Sequence, residues 1–132
     1  MKVMLDTNIC IYIIKQQPQD VLERFASHPV GDIGISVITL GELEYGVCKS
    51  SHPARNREAL EQFILPLEVA VFDRPATLTY GKIRTLLEKK GRLIGSLDLL
   101  IAAHALSLGV RLVTNNVKEF KRVPSLRVEN WA

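Results

Sequence analysis

The sequence VMLDTN at residues 3–8 is an apolar run that ends at an acid, Asp6. A short, continuous apolar run bounded by turn-forming residues is typical of a buried β-strand. Similar runs recur along the chain, separated by segments with helical periodicity. They predict strands at residues 2–6, 33–38, 69–72 and 110–114, and a fifth at 126–129.

The segments between these strands are predicted to be helical. In residues 19–27, for example, Val21, Leu22 and Phe25 fall on one face, as in an amphipathic helix. Strands that alternate with helices pair in parallel through right-handed crossovers. The chain is therefore predicted to be a single domain, residues 1–132, with a three-layer α/β/α sandwich around a central parallel sheet of four to five strands. The predicted helices span residues 9–15, 19–27, 40–48, 56–65, 75–90 and 97–108.

Four acidic residues stand at the junctions of these elements. Asp6 follows the first strand, and Glu42 comes shortly after the second. Asp98 opens an apolar helix, and Glu119 follows the fourth strand by a few residues. In an open α/β sheet, strand ends and helix starts converge on one edge of the sheet, where ligands bind. The four carboxylates are therefore expected to meet in space.

Three of these acids also have a purely structural interpretation. Asp6 is a favourable N-cap for the helix that follows it. Thr39 stands three residues before Glu42, and Asn116 three residues before Glu119, as in a capping box in which the acid reaches back to the cap residue. Each of these acids alone is therefore weak evidence for a site.

Asp98 is harder to explain by helix structure alone. Ser96 can cap the helix, and an acid in its first turn suits the helix dipole. However, residues 97–108 are apolar almost all round, which is typical of a buried helix. Because a buried, unpaired carboxylate is costly, one shared site explains the four acids better than four separate structural roles.

Four neighbouring carboxylates repel one another unless a cation neutralises them. A hard divalent ion with oxygen ligands, Mg²⁺ or Mn²⁺, is the natural occupant. The three histidines, His28, His52 and His104, lack the spacing of a zinc site, and His104 is predicted to be a satisfied core residue. Divalent ions held by carboxylates activate water and neutralise charge in phosphodiester hydrolysis without a nucleophilic side chain.

The net charge of +3 is unevenly distributed along the chain. Residues 1–73 carry a net charge of −4, and residues 74–132 a net charge of +7. Any one of the basic residues is equally well explained as part of a solvated helix face. Together they favour a polyanionic partner such as nucleic acid. The basic residues expected to bind nucleic acid are Lys89, Lys90, Arg92, Lys118, Lys121 and Arg122.

The remaining composition is that of an ordinary globular protein. No apolar run reaches the roughly 20 residues that a membrane-spanning helix needs, and no secretory signal is apparent. Cys10 and Cys48 stand alone, without a CxxC pair. They are expected to be reduced and partly buried, as in a cytoplasmic protein.

Several stretches of the sequence resemble the PIN-domain nucleases. They are DTN at residues 6–8, SVITLGEL at 36–43, SLDLLIAA at 96–103 and TNNVKEF at 114–120. The sequence is most similar to the VapC toxins of bacterial toxin–antitoxin pairs, over nearly the whole chain. The resemblance implies a PIN-like fold and a set of metal-binding, catalytic acids supported by small polar residues. The acids are Asp6, Glu42, Asp98 and Glu119, and the supporting residues are Thr7, Asn8, Thr114 and Asn116.

The resemblance also implies an activity and partners. Members of this family are Mg²⁺-dependent endoribonucleases that often attack tRNA, including initiator tRNA in the anticodon region. They are the toxins of type II pairs, form homodimers within a larger complex, and are inhibited by a small VapB-like antitoxin. Its C-terminal segment is expected to cover the acidic site and to place apolar side chains between the helices at residues 19–27 and 56–65.

Two other functions are compatible with parts of the sequence. One is a catalytically inactive PIN fold that only binds RNA, although the complete set of acids argues against it. The other is a receiver-type phosphorylation switch, which is also a small parallel α/β domain with an acidic Mg²⁺ pocket. Receivers resemble this chain less, because they carry two adjacent acids after the first strand, where this chain has Asp6 followed by Thr7.

Overall fold

A five-stranded parallel sheet forms the centre of the computed structural model, which describes residues 1–132. The strands lie in the order β3-β2-β1-β4-β5, and all four neighbouring pairs are parallel. This confirms the predicted central parallel sheet. The strands are β1 (Val3–Leu5), β2 (Ile33–Ser36), β3 (Glu68–Ala70), β4 (Arg111–Val113) and β5 (Val128–Glu129).

Seven helices surround the sheet. Helices α1 to α4 pack on one face of the sheet, and α5 to α7 on the other, which confirms the three-layer sandwich. None of the seven has the length and apolar character that crossing a membrane requires. The helices are α1 (Thr7–Ile14), α2 (Gln19–Ala26), α3 (Val37–Lys49), α4 (Pro53–Ile64), α5 (Arg74–Lys89), α6 (Ser96–Leu108) and α7 (Val117–Phe120).

Strand β1 is buried on both faces, and its side chains serve two separate cores. Val3 and Leu5 point into the core formed with α1 to α4, whereas Met4 points into the core formed with α5 and α6. This follows from the two-residue period of a strand. Each fully buried apolar side chain stabilises the fold by roughly 1.5–3 kcal/mol. Strand β1 therefore stabilises the packing of both helical layers against the sheet.

The second strand is shorter than predicted. It ends at Ser36 instead of Ile38, because the Ser36 hydroxyl accepts a hydrogen bond from the Ile38 backbone N–H at 3.0 Å and caps α3. Helix α3 therefore begins at Val37, three residues before the predicted start at residue 40. The short helix α7 was not among the predicted helices.

The chain changes direction across the sheet beside β1. It proceeds from β1 through β2 to β3 on one side, and then returns to β4 and β5 on the other side. The topological switch point lies between β1 and β4, where the Asp6 N–H donates to the Val113 carbonyl at 2.9 Å. Ligands bind at such a point in open α/β sheets, so the sheet places Asp6 and Thr114 at a natural binding crevice.

Neither cysteine forms a disulfide. Cys10 is fully buried on α1, and burial raises the pKa of its thiol well above the usual range. Cys48 is exposed on α3, so the expectation that both cysteines are partly buried was wrong for both. Helix α3 turns Cys48 outward one residue after Val47, which packs in the core.

Candidate metal and nucleic-acid site

Asp6 serves both as a helix cap and as a member of the acidic site. Its Oδ1 accepts a hydrogen bond from the Ile9 backbone N–H at 3.0 Å, which confirms the predicted N-cap of α1. The side chain is only 4% exposed. Burial raises the pKa of Asp6, hydrogen bonds from Thr114 and Ile9 oppose that shift, and the charge of Glu42 adds to it. The carboxylate is thus oriented, and it lies within electrostatic reach of a second acid.

Glu42 faces the same crevice from α3. The Thr7 hydroxyl donates to Glu42 Oε1 at 2.5 Å across 35 residues of sequence. The capping-box interpretation of Glu42 was therefore wrong, because Ser36 caps α3 and Thr39 lies inside the helix. The hydrogen bond from Thr7 orients the Glu42 carboxylate beside the end of β1.

Asp98 is the acid whose pKa is raised most by burial and by the neighbouring acids. It lies half-buried in the first turn of α6, whose N-cap residue is Gly95. Burial, the nearby Glu119 and the weaker influence of the charges of Asp6 and Glu42 together raise the pKa of Asp98 to about 7. All four acids predicted from the sequence therefore act on one another in the folded chain.

Glu119 is held by hydrogen bonds to both of its oxygens. The Gly95 backbone N–H donates to Oε1 at 3.0 Å, and the Asn116 side-chain amide donates to Oε2. The capping-box interpretation of Glu119 was wrong, because Asn116 bonds to the acid through its side chain instead of its backbone. A Cβ atom at Gly95 would contact Asp98 Oδ2 at 3.5 Å and Glu119 Oε1 at 3.7 Å. A glycine at this position keeps the space between the two carboxylates open.

The remaining supporting residues differ in what they do. Thr114 is fully buried near Asp6, whose pKa it lowers, and its hydroxyl accepts from the Asn116 N–H at 2.9 Å. The Asn8 side chain is exposed, and only the Asn8 backbone influences Asp6, whose pKa it lowers slightly. The sequence analysis missed Asn115, whose amide donates to the Tyr12 hydroxyl at 2.6 Å beside the crevice. An Asn-Asn pair directly after a strand was the only available signal.

The donor set fits a hard, hydrated cation. It consists of carboxylates whose mutual repulsion a cation relieves, as the raised pKa of Asp98 demonstrates. No three acidic, imidazole or thiol side chains converge closely enough to ligate one ion directly. Mg²⁺ usually keeps several of its waters and takes one or two protein carboxylates. The residues present therefore suit a partly hydrated Mg²⁺ or Mn²⁺, and they do not suit zinc.

We expect Asp98→Asn to stabilise the metal-free protein in a pH-dependent manner. An ionised Asp98 destabilises the fold above its unfolded pKa of about 4, and this penalty grows until the pH exceeds the folded value of about 7. After allowance for the solvent exposure of Asp98, the gain at pH 8 is about 1–2 kcal/mol. The measurement is urea unfolding in EDTA at pH 5, 6.5 and 8.

The matched control for this experiment is Asp20→Asn, an exposed acid in the first turn of α2. Its effect on the free energy of unfolding should stay small and nearly constant over the same pH range. Equal gains for Asp98→Asn at pH 5 and pH 8 would contradict the electrostatic origin assigned to its raised pKa.

Two hydrogen bonds connect the loop after α5 to α7. Arg122 Nη1 donates to the Leu93 carbonyl at 3.2 Å, and Gly95 N–H donates to Glu119. These bonds place the loop that follows Arg92 beside Glu119 and Arg122. None of the six basic residues predicted to bind nucleic acid forms an ion pair within the chain: Lys89, Lys90, Arg92, Lys118, Lys121 and Arg122.

Comparisons with known proteins agree with this fold. A family model described as PIN domain matches residues 3–126. The chain is 49% identical over 131 residues to ribonuclease VapC2 of Rickettsia felis, covering 97% of this chain and 96% of that protein. It is 46% identical over 132 residues to the tRNA(fMet)-specific endonuclease VapC of Shigella flexneri, covering 100% of this chain and 99% of that protein.

Comparison with a solved structure supports the same family. The chain superposes with a TM-score of 0.95 on a chain of the DNA-bound VapBC crystal structure from Salmonella typhimurium, at 46% identity, covering 100% of this chain and 99% of that one. Fold and site thus define a PIN domain. Within that class, the chain belongs to the VapC-type toxin ribonucleases. The family resemblance seen in the sequence is confirmed, and the receiver-type alternative is wrong.

Proposed function

We propose that this protein is a divalent-metal-dependent endoribonuclease and the toxin of a type II toxin–antitoxin pair, with all of residues 1–132 forming one nuclease domain. The observation that carries the proposal is the convergence of four acids at the switch point of the sheet: Asp6, Glu42, Asp98 and Glu119. The other three acids all raise the pKa of Asp98. Membership of the VapC-type ribonucleases supports the same activity.

Each acid has a distinct part in the proposed site. Asp6, Glu42 and Asp98, from the end of β1, α3 and the start of α6, would hold a partly hydrated Mg²⁺ or Mn²⁺, in part through its bound waters. Glu119, held by Gly95 and Asn116, would bind through water or complete the ligand set. When bound, the metal supplies an activated water and neutralises the charge that develops on the phosphate. The protein contributes fixed carboxylates, and no covalent intermediate is required.

We propose that the substrate is tRNA, and initiator tRNA in its anticodon region in particular. The name of the relative from Shigella flexneri specifies tRNA(fMet). The six basic residues that form no ion pairs are the proposed contacts for the phosphate backbone of the RNA. Neutralising phosphates with lysine and arginine releases counterions and gives most of the non-specific affinity.

We also propose a VapB-like antitoxin as the inhibitor of this protein, because the structural neighbours are VapBC complexes. The predicted groove between α2 and α4 is present, with a volume of about 340 Å³ between Phe25, Phe63 and Ile14. A second groove of the same volume, which the sequence analysis missed, lies between α1, α3 and α4 and reaches Glu42. An apolar antitoxin segment in these grooves would lead a basic side chain to the carboxylates.

A homodimer is the proposed assembly of the protein. Several large apolar side chains remain exposed on α3, after β3, and on α5 and α6, and clusters of such residues mark interaction sites. A two-fold interface would bury the same surface from both copies. The proposed location is the cytoplasm, where tRNA is found. The exposed side chains on these elements include Val37, Tyr45, Val71, Leu78 and Leu97.

The function is tested by brief induction in cells, followed by sequencing of RNA 5′ ends and by reactions of purified protein with initiator tRNA. We expect new 5′ ends in the anticodon region, loss of cleavage in EDTA, and recovery with excess Mg²⁺ or Mn²⁺. Co-expression of the short reading frame directly upstream should remove the new ends. RNA binding without cleavage at any metal concentration would instead establish the inactive RNA-binding alternative.

A further inference from the structure

A buried histidine connects the two halves of the acidic site. His104 lies on α6, six residues after Asp98, and is fully buried. Its Nδ1 is hydrogen-bonded to the Ser36 hydroxyl at 2.7 Å, across 68 residues of sequence. Ser36 stands six residues before Glu42 and is the N-cap of α3. The pair therefore joins the helix of one proposed metal ligand to the helix of another.

The other ring nitrogen shows that His104 is more than a satisfied core residue. Nε2 is buried beside the Val71 carbonyl but has no partner in hydrogen-bond geometry. The edge of the Phe72 ring packs against the imidazole, with ring centroids 5.2 Å apart. The prediction of a satisfied core histidine was therefore only half right. A buried polar atom left without a partner is costly, so an apolar residue would suit this position better if packing were its only role.

The bond between His104 and Ser36 is the only side-chain hydrogen bond between α6 and the β2–α3 segment. Its buried side chains apart from His104 are apolar, namely Leu99, Ile101, Ala102, Ala103 and Ala105. Apolar contacts are non-directional. At a rise of about 1.5 Å per residue, Asp98 and Glu42 each lie about 9 Å along their helices from the bonded pair. A shift at the pair therefore alters the separation of the two acids.

We propose that Ser36 and His104 are positioning residues, whose hydrogen bond sets the placement of Asp98 on α6 relative to Glu42 on α3. This inference rests on the proposed metal-dependent function. Groups bonded directly to metal ligands typically change metal affinity by about 10–100-fold, which sets the upper end of the effect expected from a pair that acts through the two helices. A ligand displaced by about 1 Å also reduces catalysis strongly.

The test uses three variants and one control. His104→Leu removes the hydrogen bond at similar volume, and His104→Asn retains a polar atom near the position of Nδ1. Ser36→Gly removes the hydroxyl while keeping a residue that is acceptable at an N-cap. The control is Thr39→Val, because Thr39 is a buried α3 residue whose hydroxyl has no partner. Circular dichroism establishes that each variant is folded. If His104→Leu does not fold, Ser36→Gly serves as the variant that lacks the hydrogen bond.

The first measurement is independent of metal and activity. Spin labels are attached to the exposed Cys48 on α3 and to a cysteine replacing the exposed Leu108 on α6, whereas Cys10 is buried and stays unlabelled. We expect a narrow distance distribution in the parent and in Thr39→Val, and a broader or shifted one in His104→Leu and Ser36→Gly. An unchanged distribution in both disruptive variants would overturn the proposal.

The second measurement is Mg²⁺ affinity by calorimetry. His104→Leu should weaken binding by up to about 100-fold, His104→Asn should restore most of the loss, and RNA affinity in EDTA should stay within about twofold of the parent. If the parent itself binds no Mg²⁺ while the distance distributions change as expected, the proposed metal function is wrong and the positioning role of the pair stands. Parent-like Mg²⁺ affinity in both disruptive variants refutes the link between the pair and the metal site.

Discussion

Asp6→Asn and Asp98→Asn are each expected to reduce RNA cleavage at least about 1,000-fold at saturating Mg²⁺, with the fold intact. The loss corresponds to the several kcal/mol of transition-state stabilisation that a bound metal supplies. Asparagine caps a helix as well as aspartate does, so α1 should keep its start in Asp6→Asn. Glu42→Gln should cause a similar loss, and Glu119→Gln a smaller one. Single-turnover cleavage of initiator tRNA measures all four.

The control for this series is Asp73→Asn. Asp73 is also a helix N-cap, and it accepts from the Ala76 N–H at 3.2 Å at the start of α5. The control therefore repeats the chemical change at a cap outside the set of four acids, and its activity should stay close to that of the parent. Full activity of Asp98→Asn at ordinary Mg²⁺ concentrations would end the metal-nuclease proposal.

Joint charge reversal at Lys89, Lys90 and Arg92 is expected to weaken RNA binding on the order of 10-fold or more near physiological salt. Three lost phosphate contacts should also flatten the slope of log K against log salt by about 2 for single-stranded RNA. These side chains are exposed around the end of α5, so the core should be unaffected. Filter binding of tRNA in EDTA at several salt concentrations measures both quantities.

A suitable comparison is Lys2→Glu, because Lys2 is exposed and lies at the opposite end of β1 from Asp6. It changes the net charge in the same direction while leaving the proposed RNA path untouched. If the triple variant keeps both affinity and salt slope, the RNA backbone runs elsewhere, and the same test then applies to Lys118, Lys121 and Arg122.

The architecture was predictable because its determinants are local. Apolar runs such as 3–5 and 33–36 identify buried strands without any knowledge of their neighbours, and the helices between them imply parallel pairing. The exact ends of the strands and helices depend on which polar side chain caps each helix. The Ser36 hydroxyl accepts a hydrogen bond from the Ile38 N–H, so residues 37 and 38, which were predicted to lie in the strand, belong to α3. Ser36 and Thr39, three residues apart, are both suitable N-cap residues for α3, and the sequence alone does not decide between them.

The acids were predictable as a set, but their partners were not. Asp6 and Asp98 could be inferred because strand ends and helix starts converge at one edge of a parallel sheet. The bond from Thr7 to Glu42 and that from Gly95 to Glu119 join distant parts of the chain through specific side-chain directions. Hydropathy patterns carry no information about such directions. The same limit applies to Ser36 and His104, whose contact depends on the packing of α6 against β2.

The second groove has a consequence for the order of events during translation. All residues that line it lie between Ile11 and Leu60, whereas Asp98 and Glu119 come from the second half of the chain. At about 5–20 residues per second, the 59 residues from Leu60 to Glu119 take roughly 3–12 s to synthesise. The proposed docking surface for the antitoxin therefore leaves the ribosome several seconds before the acidic site is complete. An antitoxin already present in the cell can meet the nascent chain before that chain is able to cut RNA.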